Sequence, residues 1–276
     1  VSSIVTEQGI VHYEVHGRGT AIILLHGWIN SWDVWRSSMI TLAGKGSYKV
    51  YALDFWGFGE SAKDKAPPFK LDSYVRMVDQ FMELLGIQSA PVLGHSMGGT
   101  VALRLALEHP HRVSHVGAVG SPVHGISLNV FLKLAGIPWI AYLIWRVPVI
   151  LRFVMWTILA GDSRRVREMI FRDVNKTSTE SFFRSIGDLH HTDLRKDIHR
   201  ISVPAIGIYG VRDNIVNPNQ SKLIEDLLPS AQVEMMQHSR HFPMLDEPDR
   251  FNDILLRFFH DHMDEREGSE PRSSVG

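Results

Sequence analysis

Ala90-Pro91-Val92-Leu93-Gly94-His95-Ser96-Met97-Gly98-Gly99 joins an apolar run to a helix-forming run through a serine with glycine two residues before and two after it. This is G-x-S-x-G, the pattern of a strand-turn-helix elbow. A serine hydroxyl that attacks a carbonyl must stand clear of the backbone, and a sharp, crowded turn achieves that. Only small neighbours fit such a corner, which gives Gly94, Gly98 and Gly99 a steric reason to be glycine. The run from Thr100 to His109 is a strong helix former that stops at Pro110. Its N-terminus points at Ser96, where the positive end of the helix dipole favours an anion. A plain glycine-rich turn before a helix would give the same letters, so other stretches have to decide.

Four do. His26-Gly27-Trp28 follows the apolar run Ala21 to Leu25, Asp54 to Ser61 reads D-x-x-G-x-G-x-S, and Asp213 and His241 follow the serine in the order Ser, Asp, His. With these in place the sequence resembles an α/β-hydrolase over almost its whole length. The resemblance implies an α/β fold: a mainly parallel, mostly eight-stranded sheet with helices on both faces and an inserted helical cap. The hydrophobic pattern agrees. Continuous apolar runs such as Ala21–Leu25 and Val113–Val119 suit parallel strands buried on both faces. Leu71 to Leu85 carries Tyr74, Val75, Val78, Phe81, Met82 and Leu85 at helical spacing. Strands alternating with helices imply right-handed crossovers and ligands beyond the carboxyl ends of the strands. Ser3 to Val15 alternates around Gln8-Gly9 and reads as a β-hairpin.

The chain divides into a first core segment (1–121), a helical lid (122–197), a second core segment (198–262) and a frayed tail (263–276). The lid is distinctive: residues 122–196 hold eleven Lys or Arg against six Asp or Glu, a net +5 in a chain of net charge −1. Apolar residues crowd between Phe131 and Leu159. Lys133, Arg146, Arg152, Pro138 and Pro148 interrupt them, leaving no uncharged piece near the ~20 residues a membrane span needs. A basic, aromatic-rich lid of this kind is expected to rest transiently on an anionic lipid surface and to line a lipophilic pocket.

The 276 residues, 44% of them hydrophobic, are enough for one large α/β domain with an insertion. Near-zero net charge gives no electrostatic footprint for nucleic acid. Zero cysteines exclude disulfides, a thiol nucleophile and a Cys-type zinc site. Val1 to Glu7 lacks a basic stretch followed by an apolar one, and the expectation is a cytoplasmic protein.

By the resemblance, Ser96 is the nucleophile, His241 the base and Asp213 the acid that orients it, while the backbone N–H groups of Trp28 and Met97 form the oxyanion hole. His238 competes with His241 for the role of base. Arg240 stands where the family usually has glycine, which puts the conformation of that loop in question. Asp54 competes with Asp213 but belongs to a loop whose role in the family is structural, and His26 reads as a loop-stabilising residue. His190-His191-x-Asp193 offers a weak metal pattern, but adjacent histidines are expected to point apart and no further ligand lies nearby. No metal or organic cofactor is therefore expected. A serine at position 96 argues against epoxide opening and halide displacement, which use aspartate there. What remains is a carboxylesterase acting on lipophilic short- to medium-chain esters. The alternatives are a carbon–carbon bond hydrolase or lactonase of the same fold, the former commonly carrying asparagine where His95 stands, and a ligand-sensing protein of slow turnover.

Overall fold

In a computed structural model of the protein, residues 2–45, 48–63, 69–135 and 164–267 are described. Strands β1 (Ser2–Thr6) and β2 (Gly9–Gly17) form the expected antiparallel hairpin. Six more strands follow: β3 (Thr20–Leu25), β4 (Tyr48–Leu53), β5 (Ala90–His95), β6 (Val113–Val119), β7 (Ala205–Gly210) and β8 (Ala231–Met236). They assemble into one eight-stranded sheet in the order β1-β2-β4-β3-β5-β6-β7-β8. The pairings from β4 through β3 to β8 are parallel, and β2 joins β4 antiparallel.

Helices α1 (Arg36–Lys45), α2 (Leu71–Leu84) and α3 (Met97–Glu108) supply the early crossovers. Because helices cover the sheet, its central strands have no solvent face, and β5 is buried at every position. Strand order reverses between β3 and β5: the chain steps from β3 outward to β4, then back past β3 to β5. The loops leaving β3 and β5 therefore diverge at a switch point, where a crevice forms beyond the strand ends. Trp28 lies on one of these loops and Ser96 on the other.

Between β6 and β7 run α4 (Val130–Ala135), α5 (Arg164–Val174) and α6 (Thr179–His191). The densest apolar part of the expected lid, 136–163, lies outside the described residues. After β7 come α7 (Gln220–Leu227), the short α8 (Pro243–Asp246) and α9 (Pro248–Glu267). Helix α9 continues to Glu267, into the segment expected to be the tail; Met263, Glu265, Arg266 and Glu267 are good helix formers. The rest of that tail, 268–276, lies outside the described residues. Among the described residues no helix is long and apolar enough to cross a membrane.

Candidate active site

Ser96 stands between β5 and α3 with φ 52° and ψ −119°, a left-handed backbone that a residue with a Cβ adopts only under strain. The strain is held from both sides. Ser96 N–H donates to Val119 O on β6 at 2.8 Å, while Gly99 N–H closes back on Ser96 O at 3.0 Å. The corner is tight: a Cβ on Gly94 would strike the Gly98 backbone, and one on Gly98 would stand 2.5 Å from the carbonyl oxygens of both Leu25 and His26. These glycines let β5, α3 and the end of β3 meet.

The loop after β8 brings His241 to this corner. His241 is 4% exposed and donates from Nδ1 to Asp213 Oδ2 at 2.8 Å; the other carboxylate oxygen, Oδ1, accepts the N–H groups of Ile215 (2.8 Å) and Val216 (3.0 Å). With Nδ1 so bonded, the tautomer is fixed that leaves Nε2 free to take a proton. Ser96 and His241 line one pocket, though no hydrogen bond joins Oγ to the imidazole among the described residues. Catalytic contacts of this kind often tighten only with substrate present. His238 is exposed and stays outside the pocket. Asp54 is spent elsewhere: it is buried, bonded to His12 Nδ1 (2.8 Å), Trp32 N–H (2.7 Å) and Glu60 N–H (3.0 Å). Burial would push its carboxyl upward, but these partners and the nearby His26 hold it below the usual carboxylate range.

Arg240 in the usual glycine position is accommodated because its backbone is not left-handed. Side chains from α8 and the start of α9 pin the loop instead. Asp246 accepts Arg240 N–H at 2.8 Å, and Glu247 accepts His238 N–H at 3.1 Å and Ser239 Oγ–H at 2.6 Å. A further contact was not visible in the sequence. His95 Nε2 donates to the carbonyl oxygen of His241 at 2.8 Å, and the two rings lie 4.7 Å apart. Burial holds the His95 imidazole well below its ordinary pKa, with the neighbouring His241 adding to the effect, so His95 is neutral.

The oxyanion candidates are Trp28 and Met97. Met97 opens α3, and neither its N–H nor that of Trp28 makes a hydrogen bond among the described residues. Both are donors available to a ligand oxygen. The Trp28 loop is strained as well, since β-branched Ile29 sits at φ 60°. Two sets of contacts hold it. Below, Asp54 takes Trp32 N–H, and His26, kept neutral by burial, accepts Phe55 N–H at 2.9 Å. Above, α5 and α6 clasp it: Trp28 Nε1–H donates to Phe182 O at 2.8 Å, Ser31 Oγ–H donates to Asp173 at 3.0 Å, and Arg172 bridges Asp33 and Asp173 at 2.7 Å each. Asp173 is fully buried in α5, and burial raises its pKa despite Arg172 and Ser31.

The pocket at Ser96 has apolar walls in Leu128, Leu132, Ile170, Ile186, Ile215 and Phe242, with Asn30, His95 and His241 as its other polar lining, and its free volume is only about 20 Å³. His190 and His191 do not point apart as expected. Their rings meet edge-on at 5.2 Å, because each Nδ1 turns to a backbone carbonyl, of Gly125 and Gly187 respectively. Asp79, His109 and His111 bring ligand atoms within 4.8 Å of one another, but Arg112 already holds Asp79 Oδ1 at 2.6 Å.

What defines the class is the position of the serine, on the turn leaving a central parallel strand at the switch point of a doubly covered sheet. Residues 20–145 match the family model of the alpha/beta hydrolase fold, and the eight-stranded, mostly parallel sheet has the arrangement of that fold. It is 26% identical over 260 residues to the pimeloyl-[acyl-carrier protein] methyl ester esterase of Aeromonas hydrophila, covering 90% of this chain and 98% of that protein. Among solved structures it superposes on a bromoperoxidase from Bacillus anthracis with a TM-score of 0.82 at 24% identity, covering 94% of this chain and all of the other. An enol-lactonase from Burkholderia xenovorans gives a TM-score of 0.81 at 21% identity, again over 94% of this chain and 100% of that one.

Proposed function

We propose that the protein hydrolyses carboxylic esters through an acyl-serine intermediate. The observation that carries this reading is the conjunction at one pocket of a strained Ser96 and a His241 bonded at 2.8 Å to a buried Asp213. Ser96 Oγ attacks the ester carbonyl carbon as His241 Nε2 takes its proton. The carbonyl oxygen becomes an oxyanion against the N–H groups of Trp28 and Met97, a contact worth roughly 3 kcal/mol per donor. Collapse expels the alkoxide, which leaves with the proton from His241. Water, deprotonated by His241, then attacks the acyl-Ser96, and the second collapse releases the acid and restores Ser96. Asp213 stabilises the imidazolium in both halves.

The apolar walls favour lipophilic acyl groups, and esterase relatives support the choice of an ester. Because the free volume is small, a medium-length chain requires the walls of α4, α5 and α6 to shift. Within that limit each buried methylene contributes about 0.8 kcal/mol. The test is a chain-length series of 4-nitrophenyl esters on the purified protein, with Ser96→Ala as control. Rates should climb from acetate to hexanoate and vanish in the variant. An active Ser96→Ala protein, or an acyl group trapped on another residue, would sink the assignment.

A further inference from the structure

One group in the pocket is out of keeping with the rest. Asn30 follows the strained Ile29 on the oxyanion loop, is 2% exposed and lines the pocket beside Ser96. Its backbone N–H is bonded to Gly27 O, but its side-chain amide makes no hydrogen bond among the described residues. An amide that lines a pocket without a partner is unfavourable, and a leucine of nearly the same shape would avoid that cost. Two donors and an acceptor are thus held in the chamber beside Ser96, apart from the groups that carry the proposed chemistry.

We propose that Asn30 is a specificity-determining residue that recognises a hydrogen-bonding group, of the hydroxyl or carbonyl kind, on the acyl half of the substrate near the scissile carbonyl. This rests on the esterase reading and narrows its substrate class. Position argues for the acyl half. The leaving oxygen must lie against His241, which protonates it, whereas Asn30 belongs to the loop of the oxyanion donor Trp28. Distance argues for closeness to the carbonyl. Asn30 Oδ1 and Ser96 Cβ lie 3.2 and 3.1 Å from one common point, the place a Cβ on Gly27 would take. An acyl group attached at Ser96 Oγ therefore passes the amide at about its second or third carbon. A plain hydrocarbon chain leaves the amide unpaired there, while a hydroxyl satisfies it, and an unpaired polar group in a built site is how enzymes reject the analogue that lacks a hydroxyl.

The test compares 4-nitrophenyl butanoate with 4-nitrophenyl 3-hydroxybutanoate, and ethyl with 2-hydroxyethyl butanoate, on the wild-type protein and on Asn30→Leu. The wild type should favour the 3-hydroxyacyl ester by about three- to ten-fold in kcat/KM, the worth of one hydrogen bond, and be indifferent to the hydroxyl on the alcohol side. Asn30→Leu should lose that preference, its kcat/KM on the 3-hydroxyacyl ester falling to that on plain butanoate. Equal loss on both acyl esters in Asn30→Leu, no preference in the wild type, or a preference confined to the alcohol side would each overturn the inference while leaving the esterase reading standing. Turnover of none of the four esters would overturn both.

Discussion

His95→Phe isolates one hydrogen bond that positions the base. Phenylalanine keeps a ring against His241 and Phe242, which lie 4.7 and 4.8 Å from the His95 ring, and removes only the Nε2–H that donates to His241 O at 2.8 Å. The carbonyl it abandons belongs to a residue only 4% exposed, so water does not readily replace the donor. Leaving a buried acceptor unsatisfied costs about 1–3 kcal/mol. If that energy is spent holding the imidazole in its attacking position, it appears in the barrier as roughly a 5- to 150-fold fall in kcat, with KM for a short ester little changed. If it is spent only on stability, thermal unfolding shifts and kcat per folded molecule does not. His95→Gln separates the two, because a glutamine amide can reach the same carbonyl and should restore most of the rate. The assay is initial-rate hydrolysis of 4-nitrophenyl butanoate, corrected for folded protein by active-site titration. Wild-type kcat in His95→Phe, or equal loss in the Phe and Gln variants, would refute a positioning role.

Three further outcomes are expected. Asp213→Asn should leave the protein folded and lower turnover by ~10⁴, as in other serine triads; full activity there with loss in Asp54→Asn would show that the acid had been misassigned. His26 and His95 are both held below their ordinary pKa by burial, so below about pH 6.5 the unfolded chain binds protons that the native one refuses. Stability should then fall with acidification by at most ~1.4 kcal/mol per pH unit for each group, until each native pKa is passed; His95→Phe should flatten the slope in urea unfolding, and an unchanged slope would count against a buried neutral His95. Ser31→Ala removes the hydroxyl that Asp173 accepts across the clasp between α5 and the oxyanion loop. It should lower stability by about 1 kcal/mol and reduce kcat more than KM, whereas a change in stability alone would mean that the clasp does not set Trp28.

The sheet was legible because its strands announce themselves. Thr20–Leu25 and Ala90–His95 are almost entirely apolar or small, and a segment buried on both faces has no other place in a protein of this size. In the site, motif and order single out Ser96, Asp213 and His241, and the structure brings Ser96 and His241 to one pocket with Asp213 bonded to His241, while His238 is exposed.

What could not be read are relations between loops far apart in the chain. His95 and His241 are 146 positions apart, and nothing in either local sequence says that the ring of one will meet the carbonyl of the other. Asp173 looks in sequence like a solvated helix acid beside Arg172. Only the docking of α5 over the β3 loop makes it a fully buried partner of Ser31. Asn30 looks like an ordinary loop residue, and its amide becomes notable only when it lines the pocket beside Ser96. These three share a physical character: each is a polar group whose cost depends on burial supplied by a distant segment. Sequence shows the group and not the burial. Motifs therefore point to candidate reacting atoms, while the residues proposed to position them and to choose the substrate emerge only from polar groups in the assembled pocket.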